Sequence, residues 1–487
     1  MQEKRRVVYG FAAVSALLLC SVQTSSAQST PALPEQDRTL AQDIFKQLIE
    51  TNTQDSDGSV TAAAEKMRQR LLDAGFPAED LVLAGPNDRK QNLVARYRGK
   101  PGSTLKPIVT ICHLDVVEAR RADWTTDPYQ FVEKDGYFYG RGTQDIKEED
   151  AALVETFIRM KREGYVPDRD LVISLTADEE GGASNGVAWL LEHRPDLMRA
   201  DFVINPDAGG LELRAGKPSE FDVEATEKLY ADFEVTATNP GGHSSQPRPD
   251  NAIYEVVRAL AKLEASPFPV ELNAVTRAEL EEKAKIAGRT YPQRAELIRG
   301  VLANPPDPAA VTEFSKDATD NATLRTTCVA TMVSAGHARN ALPGMAKANV
   351  NCRILPGHSQ EETRLQLIKI FEDPKLTVSY VNDAGEVLGL GSAKKSMDPP
   401  PAREDVYGPL RRVAQEMWPG VPVVPTMSTG ASDSIITMGA GIPSYGISGM
   451  GVDFDDDRAH GRDERIRTEA FYQGVEFRYL YMKALTK

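Results

Sequence analysis

Hydrophobic and polar positions follow one another along the chain in blocks that predict strands and helices in alternation. From residue 37 to residue 75 apolar positions recur at helical spacing, which predicts two opening helices that end at Gly75. Short runs rich in Val, Ile and Leu follow, such as PIVTICHLD, DLVISLTAD and ADFVINPD, and helical stretches such as EEDAALVETFIRMKREG separate them. This alternation predicts an α/β domain on a mostly parallel central sheet, with its chemistry at the carboxyl ends of the strands.

The pattern changes near Lys228 and predicts a second, inserted domain. YADFEVTAT is a strand of period two, and a helix, two strands, a helix and a strand follow it, which is the split β-α-β-β-α-β order. Residues 267–320 interrupt this order with a charged, helix-prone segment, which we interpret as a solvated helical insertion. The predicted division is a first catalytic part (28–227), an inserted α+β lid or dimerisation domain (228–384) and a second catalytic part (385–487).

The amino terminus has the features of a secretory signal peptide over residues 1–27. Lys4, Arg5 and Arg6 precede an apolar run at 7–22, and Ser-Ser-Ala at 25–27 offers a cleavage point. The apolar run is shorter than the roughly 20 residues that a membrane-spanning helix needs. We therefore expect a secreted or periplasmic protein with no stable membrane insertion after cleavage.

Composition and charge restrict the class of protein further. The 487 residues are 41% hydrophobic and 26% charged, as in an ordinary globular protein of two or three domains. A net charge of -14 argues against a nucleic-acid partner, which would need a basic face. Cleavage of the leader would leave Cys112, Cys328 and Cys352, an odd number that excludes a complete disulfide scaffold. One bridge between Cys328 and Cys352 and two buried thiols are both compatible with the sequence.

Candidate chemistry gathers at the ends of the predicted strands and at tight turns. Carboxylates at four such places, together with two histidines, would converge on one rim and repel one another unless cations lay between them. Imidazole and carboxylate ligands together suit zinc, and two ions bridged by one carboxylate can activate a water and polarise a carbonyl. One further acid must stay uncoordinated to move the proton of that water, which predicts a hydrolase. The residues concerned are His113, Asp115, Asp145, Glu179, Glu180, Asp207 and His460.

Five motifs in order resemble the zinc-dependent aminoacylase, carboxypeptidase and dipeptidase family over nearly the whole mature chain. They are CHLDVV with DGYFYGRGTQDIK, DEEGG, GGHSSQP, ARNALPG with VNCRILPG, and AHGRDER. The resemblance implies two Zn²⁺ ions, with Co²⁺ or Mn²⁺ as substitutes. It also implies the following roles: His113 and Asp207 hold one ion, Glu180 and His460 hold the other, Asp145 bridges them, Glu179 is the general base, and Asp115 fixes the tautomer of His113.

The resemblance gives the inserted domain a part in the reaction as well. His243 is similar to a histidine that stabilises the oxyanion and that reaches in from a partner subunit in dimeric members. Asn340 and Arg353 are similar to residues that hold the substrate, and a homodimer through the inserted domain is implied but not required. The expected reaction is cleavage of an amide next to a free carboxylate in a dipeptide or short peptide. An N-acyl amino acid substrate and a non-catalytic binding homologue are the alternatives.

Overall fold

The computed structural model describes residues 31–382 and 384–487, and the leader predicted over residues 1–27 lies outside them. Over these described residues, no helix combines the length and the apolar composition of a membrane span. The strands, numbered in chain order, are β1 (Leu81–Ala84), β2 (Asn92–Tyr97), β3 (Ile108–His113), β4 (Val132–Lys134), β5 (Tyr137–Tyr139), β6 (Leu171–Thr176), β7 (Phe202–Asn205), β8 (Gly210–Arg214), β9 (Lys217–Glu227), β10 (Leu229–Thr238), β11 (Gly242–His243), β12 (Thr327–Ala335), β13 (Ala341–Leu342), β14 (Met345–Ile354), β15 (Thr377–Val381), β16 (Val387–Leu388), β17 (Val423–Ser428), β18 (Ser444–Gly446), β19 (Gly451–Asp453) and β20 (Arg465–Arg467).

The remaining described chain consists of helices and loops, and short 3₁₀ turns lie at Ala78–Asp80 and Arg121–Asp123. The helices are α1 (Glu35–Ile49), α2 (Val60–Asp73), α3 (Lys147–Glu163), α4 (Gly186–His193), α5 (Ala252–Ala265), α6 (Ala274–Thr290), α7 (Pro292–Leu302), α8 (Pro308–Phe314), α9 (Ala318–Leu324), α10 (Gln360–Phe371), α11 (Glu404–Met417), α12 (Ser434–Gly439) and α13 (Thr468–Leu485).

A ten-stranded sheet forms the centre of the catalytic domain, in the order β1-β2-β6-β3-β7-β18-β9-β8-β19, with β17 paired to β9. Its middle strands β6, β3, β7 and β18 run parallel, which confirms the predicted α/β class. Strands β3 and β6 are buried along their whole length because helices cover both faces. Side chains of α1, α2, α3, α11 and α13 pack on one face, and those of α4 and α12 pack on the other.

The inserted domain has the predicted split β-α-β-β-α-β order. Its antiparallel sheet has the order β12-β14-β10-β15-β16, and α5 and α10 pack against it. Strand β16 pairs with β15, so the sheet of the lid extends beyond residue 384. Cys328 and Cys352 face each other across β12 and β14 and form a disulfide, whereas Cys112 is a buried free thiol.

The segment that we interpreted as a solvated insertion is less exposed than expected. Helices α6 to α9 share a small core of their own, in which Ile298, Val301 and Phe314 are buried. Helix α6 also packs on strand β17 of the catalytic domain, where Val275 and Met427 belong to one apolar cluster. The insertion therefore has a core of its own and also packs against the catalytic domain. Periodicity alone did not indicate this contact.

Candidate active site

The parallel strands deliver three of the site segments to one edge of the central sheet. Strand β3 ends at His113, β6 is followed by Glu179 and Glu180, and β7 is followed by Asp207. Since β3 lies between β6 and β7 and runs parallel to both, the carboxyl ends of the three strands meet. The fold thus places these side chains together, as the sequence predicted.

Five side chains form two groups that share one carboxylate. Nε2 of His113 lies 3.1 Å from Asp145 Oδ1 and 3.6 Å from Asp207 Oδ1. Nε2 of His460 lies 3.0 Å from Asp145 Oδ2 and 2.8 Å from Glu180 Oε2. The donor atoms of each group lie within 4.8 Å of one another. Asp145 therefore presents one oxygen to each group, which is the geometry of a bridging carboxylate.

Two loops carry Asp145 and His460 to this edge, and ion pairing holds the loops together. Gly142 precedes Asp145 with φ +87°, and a Cβ there would meet the Lys147 side chain at 2.9 Å, so the turn requires glycine. The buried Arg141 donates to Glu464 Oε2 at 2.6 Å and to the carbonyl oxygen of His460 at 3.3 Å. The loop before α3 and the loop before β20 are thereby fixed as one unit.

The main chain of Asp115, rather than its carboxylate, orients His113. Nδ1 of His113 lies 3.0 Å from the main-chain carbonyl oxygen of Asp115 but 3.8 Å from its carboxylate. The carboxylate instead accepts from the backbone N–H groups of Glu179 and Glu180, at 3.3 and 3.1 Å. The carbonyl orients the imidazole, and the carboxylate holds the loop after β6.

Burial and mutual repulsion raise the pKa of Glu179 and Glu180, whereas the pKa of Asp145 is lowered. Burial and the charge of Asp207 raise the pKa of Glu179 to about 10, and burial and the charge of Asp145 raise the pKa of Glu180 to about 8. Burial also opposes ionisation of Asp145, but hydrogen bonds to His113 and His460 outweigh it and lower its pKa. The protein's own groups thus leave the site short of positive charge. Oε1 of Glu180 is buried without a hydrogen-bond partner among the described residues, and the donor set fits two divalent cations.

Four residues that sequence reasoning missed support the loop carrying Glu179 and Glu180. The Asn185 side chain donates to Asp433 Oδ1 at 2.6 Å and to the carbonyl oxygen of Asp178 at 3.3 Å, while its own oxygen caps α4. Buried Lys90 pairs with the carboxylate of Asp178. A signal existed for Asn185, because Asn directly before an apolar helix is a typical N-cap. Asp433 lies in the polar turn GASDS, whose position the sequence did not give.

The lid residues form two separate sets. His243 and Asn340 are both exposed and adjacent, because β11 pairs with β13 and the Ser244 N–H donates to the carbonyl oxygen of Asn340 at 3.1 Å. Arg353 lies at the opposite end of β14, with its guanidinium 4.7 Å from the ring centroid of Tyr230. The three predicted lid residues are therefore not brought together at one place within the chain.

Comparisons with known proteins agree with this architecture. The model of peptidase family M20/M25/M40 matches residues 109–484. Human N-fatty-acyl-amino acid synthase/hydrolase PM20D1 is 29% identical over 389 residues, covering 77% of this chain and 73% of that protein. Probable carboxypeptidase S-like 2 of Dictyostelium discoideum is 28% identical over 410 residues, covering 81% and 75%.

A solved structure shares the fold over almost the whole length. It is the M20 family metallo-carboxypeptidase Sso-CP2 of Sulfolobus solfataricus, which superposes with a TM-score of 0.66 at 15% identity and covers 92% of this chain and 99% of that one. The family match spans both parts of the catalytic domain and the inserted domain between them. The chain belongs to peptidase family M20/M25/M40 and is a hydrolase of amide or peptide bonds.

Proposed function

We propose that the protein is a two-metal hydrolase that cleaves an amide bond next to a free carboxylate. The observation that carries the proposal is the pair of ligand groups that share Asp145. His113 and Asp207 would hold one cation, and Glu180 and His460 would hold the other. When bound, two such cations polarise the scissile carbonyl and lower the pKa of the attacking water.

Glu179 is the residue that would move the proton in this reaction. It belongs to neither ligand group, yet its backbone N–H is anchored by Asp115 directly beside Glu180. Its carboxylate would take the proton from the attacking water and give it to the leaving amine. The hydrogen bonds of Asp115 and Asn185 to the backbone of this loop would hold it in place during the transfer.

Zinc is the cation that we propose, with cobalt or manganese as substitutes. Each group offers one imidazole nitrogen and two carboxylate oxygens, with Asp145 counted in both. Such mixed nitrogen and oxygen donors suit zinc, whereas calcium takes oxygen ligands. The main-chain carbonyl oxygen of Asp115 accepts from Nδ1 of His113, and this contact leaves Nε2 to face the cation.

Short peptides with a free carboxyl terminus are the proposed substrates, and Arg353 would bind that carboxylate as a two-pronged donor. A second candidate is an N-acyl amino acid. The relative whose name specifies N-fatty-acyl amino acids favours it, and the relative named as carboxypeptidase S-like favours the peptide. Both substrate classes place the amide next to the carboxylate, so the same catalytic groups serve either.

A homodimer through the lid would let His243 reach a metal site. About eight residue steps of β14 separate Arg353 from the strand's first residue, roughly 27 Å at the rise of an extended strand, so one small substrate cannot touch Arg353 and Asn340 of one lid together. Strand β12 is an edge strand with Met332 and Val333 71% and 60% exposed. A second copy pairing at this edge would cover these side chains and supply His243 in trans.

Export is part of the proposal as well. The leader of residues 1–27 is a sequence-based prediction, and the disulfide between Cys328 and Cys352 fits an oxidising compartment. We propose that the mature protein works outside the cytoplasm.

The test is a substrate panel of dipeptides and N-acyl amino acids, with metal analysis on the same sample. Glu179→Gln should keep the metal content while activity falls at least about a hundredfold, and Glu192→Gln, at an exposed position of α4, is the matched control. A strong chelator should abolish activity, and zinc should restore it. Normal turnover by the Glu179 variant, or an enzyme indifferent to chelation, would contradict the mechanism.

A further inference from the structure

His243 lies in the short strand β11 of the lid, within a turn that the sequence GGHSS builds. Gly241 and Gly242 have φ +70° and +150°, where a side chain would be strained, and His243 then pairs with Ala341 across β11 and β13. The chain turns back directly afterwards, because the N–H of Gln246 donates to the carbonyl oxygen of His243 at 3.0 Å. A defined backbone therefore carries the imidazole, although the residue is exposed.

Two contacts of Nδ1 determine which nitrogen of the neutral ring carries the hydrogen. The backbone N–H of Ser245 donates to Nδ1 of His243 at 3.2 Å, and the Ser245 hydroxyl lies 2.7 Å from the same nitrogen. Since a backbone N–H can only donate, Nδ1 must offer its lone pair, and the hydroxyl must donate to it as well. In a neutral imidazole whose Nδ1 accepts, the hydrogen is on Nε2.

His113 has the opposite arrangement. Its Nδ1 lies 3.0 Å from the carbonyl oxygen of Asp115, which can only accept, so Nδ1 carries the hydrogen and Nε2 keeps a lone pair. Nε2 of His113 can therefore bind a cation, whereas Nε2 of His243 is a hydrogen-bond donor. The chain sets the two histidines in different tautomers by giving Nδ1 an acceptor in one case and donors in the other.

We propose that Ser245 is a positioning residue that keeps His243 in the tautomer with its N–H at Nε2. The inference rests on the proposed function in one respect: the group that receives this N–H would be the oxygen of the scissile amide as it becomes an oxyanion. With the hydrogen on Nδ1 instead, the ring would turn a lone pair toward that oxygen and repel it. Of the two neutral forms, only the one with N–H at Nε2 stabilises the negative charge of the transition state.

The same turn offers a matched control in Ser244. This residue is exposed like Ser245, and its hydroxyl has no hydrogen bond among the residues that the structure describes, while its N–H donates to the carbonyl oxygen of Asn340. Ser244→Ala thus removes a hydroxyl from the turn without affecting Nδ1 of His243. Ser245→Ala removes the hydroxyl donor but leaves the backbone N–H, and Ser245→Thr keeps a hydroxyl at the same position.

The first measurement is nitrogen-15 NMR of the purified protein, labelled at the histidine rings, at an alkaline pH where these rings are neutral. Correlations to the ring protons identify each nitrogen, and His243→Gln assigns the signals of His243 among the six histidines. We expect the hydrogen on Nε2 in the wild type, in Ser244→Ala and in Ser245→Thr. In Ser245→Ala the ratio of the two tautomers should shift about fivefold toward the form with N–H at Nδ1, as the loss of one hydrogen bond implies.

The second measurement is the kinetics of the same variants on the best substrate of the panel. In Ser245→Ala, kcat should fall in proportion to the lost fraction of the Nε2–H form, at most about fivefold, with KM nearly unchanged, because the oxyanion exists only in the transition state. Ser245→Thr should recover kcat, and Ser244→Ala should follow the wild type. The hydrogen on Nδ1 in the wild type, a tautomer ratio that Ser245→Ala leaves unchanged, or a loss that appears in KM alone would overturn the proposal.

The two proposals fail separately. The tautomer of His243 is read without substrate or turnover, whereas the proposed hydrolysis is read from the substrate panel. A protein in which Ser245 holds the Nε2–H form, but which hydrolyses no amide next to a carboxylate, would refute the function and keep the assignment of the tautomer. An active enzyme whose tautomer ratio is unaffected by Ser245→Ala would do the reverse.

Discussion

Glu155 provides a test of the buried electrostatics that does not depend on any metal. Its side chain lies in the middle of α3, fully buried, and neither carboxylate oxygen has a hydrogen-bond partner within the described residues. Burial, followed by the charge of Asp37, raises its pKa to about 8, against 4.5 for an ordinary glutamate, although Arg159 acts in the opposite direction. We predict that Glu155→Gln stabilises the protein at alkaline pH.

The direction of this pH effect on stability follows from the number of protons bound in the folded and unfolded states. Between pH 4.5 and about pH 8 the folded chain holds the Glu155 proton and the unfolded chain has lost it, so stability falls as pH rises through this window. The contribution is complete below pH 4.5 and lost above the folded pKa. At about 1.4 kcal/mol per pH unit, the interval corresponds to an upper limit of about 5 kcal/mol. A glutamine at this position is neutral throughout, so it removes this pH dependence.

The assay is amide hydrogen exchange of α3 together with thermal unfolding, at a series of pH values from about 5 to 9. Glu155→Gln and the wild type should converge near the acidic end and diverge by a few kcal/mol at the alkaline end. Glu65→Gln, the same change at an exposed site of α2, should follow the wild type at every pH. A constant difference between Glu155→Gln and the wild type across the whole range would refute the reasoning.

Three further predictions concern the lid and the active-site loop. Replacing Cys328 and Cys352 by Ala should lower the free energy of unfolding of the lid by about 3 to 4 kcal/mol, because the bridge spans a sequence separation of 24. Unfolding of the wild type measured with and without a reductant checks this value. Asn185→Asp keeps the cap of α4 but sets a carboxylate against Asp433. The kcat should therefore fall at least about tenfold while the metal content and KM stay nearly unchanged. A rise in KM as large as the fall in kcat would contradict a positioning role. Arg353→Met should raise KM about tenfold for substrates with a free carboxylate but not for their amides; kinetics on such pairs decides whether this arginine binds that group.

The sequence indicated which side chains would meet because several of them follow a simple rule of the fold. His113, Glu180 and Asp207 come directly after buried apolar runs, and parallel strands bring such positions to one edge. Asp145 and His460 lie in loops rather than at strand ends; the residue pattern named them as candidates, and the motif resemblance supplied their assignment as ligands. The roles of all five as ligands remain predictions, although the geometry places their donor atoms together.

The lid and its insertion could be predicted only in outline. Period-two strands and amphipathic helices gave the split β-α-β-β-α-β order, because local patterning determines which elements form. The same patterning carries no information on what α6 packs against, since Val275 and Met427 are more than a hundred residues apart in the chain. For the same reason the sequence left the pairing of Cys328 and Cys352 open, whereas the register of β12 and β14 sets the two opposite each other.

The loop that carries Glu179 and Glu180 is held from three directions, and each attachment comes from a different element. The carboxylate of Asp115 binds two of its backbone N–H groups from beyond β3. Lys90, which precedes β2, pairs with Asp178, and Asp433, which precedes α12, binds Asn185. A general base must stay within hydrogen-bonding reach of the water that it activates, and displacement by about 1 Å costs large factors in rate. Catalysis should therefore be sensitive to substitutions at Lys90 and Asn185, which belong to neither ligand group. Metal analysis separates this positioning effect from loss of the ions.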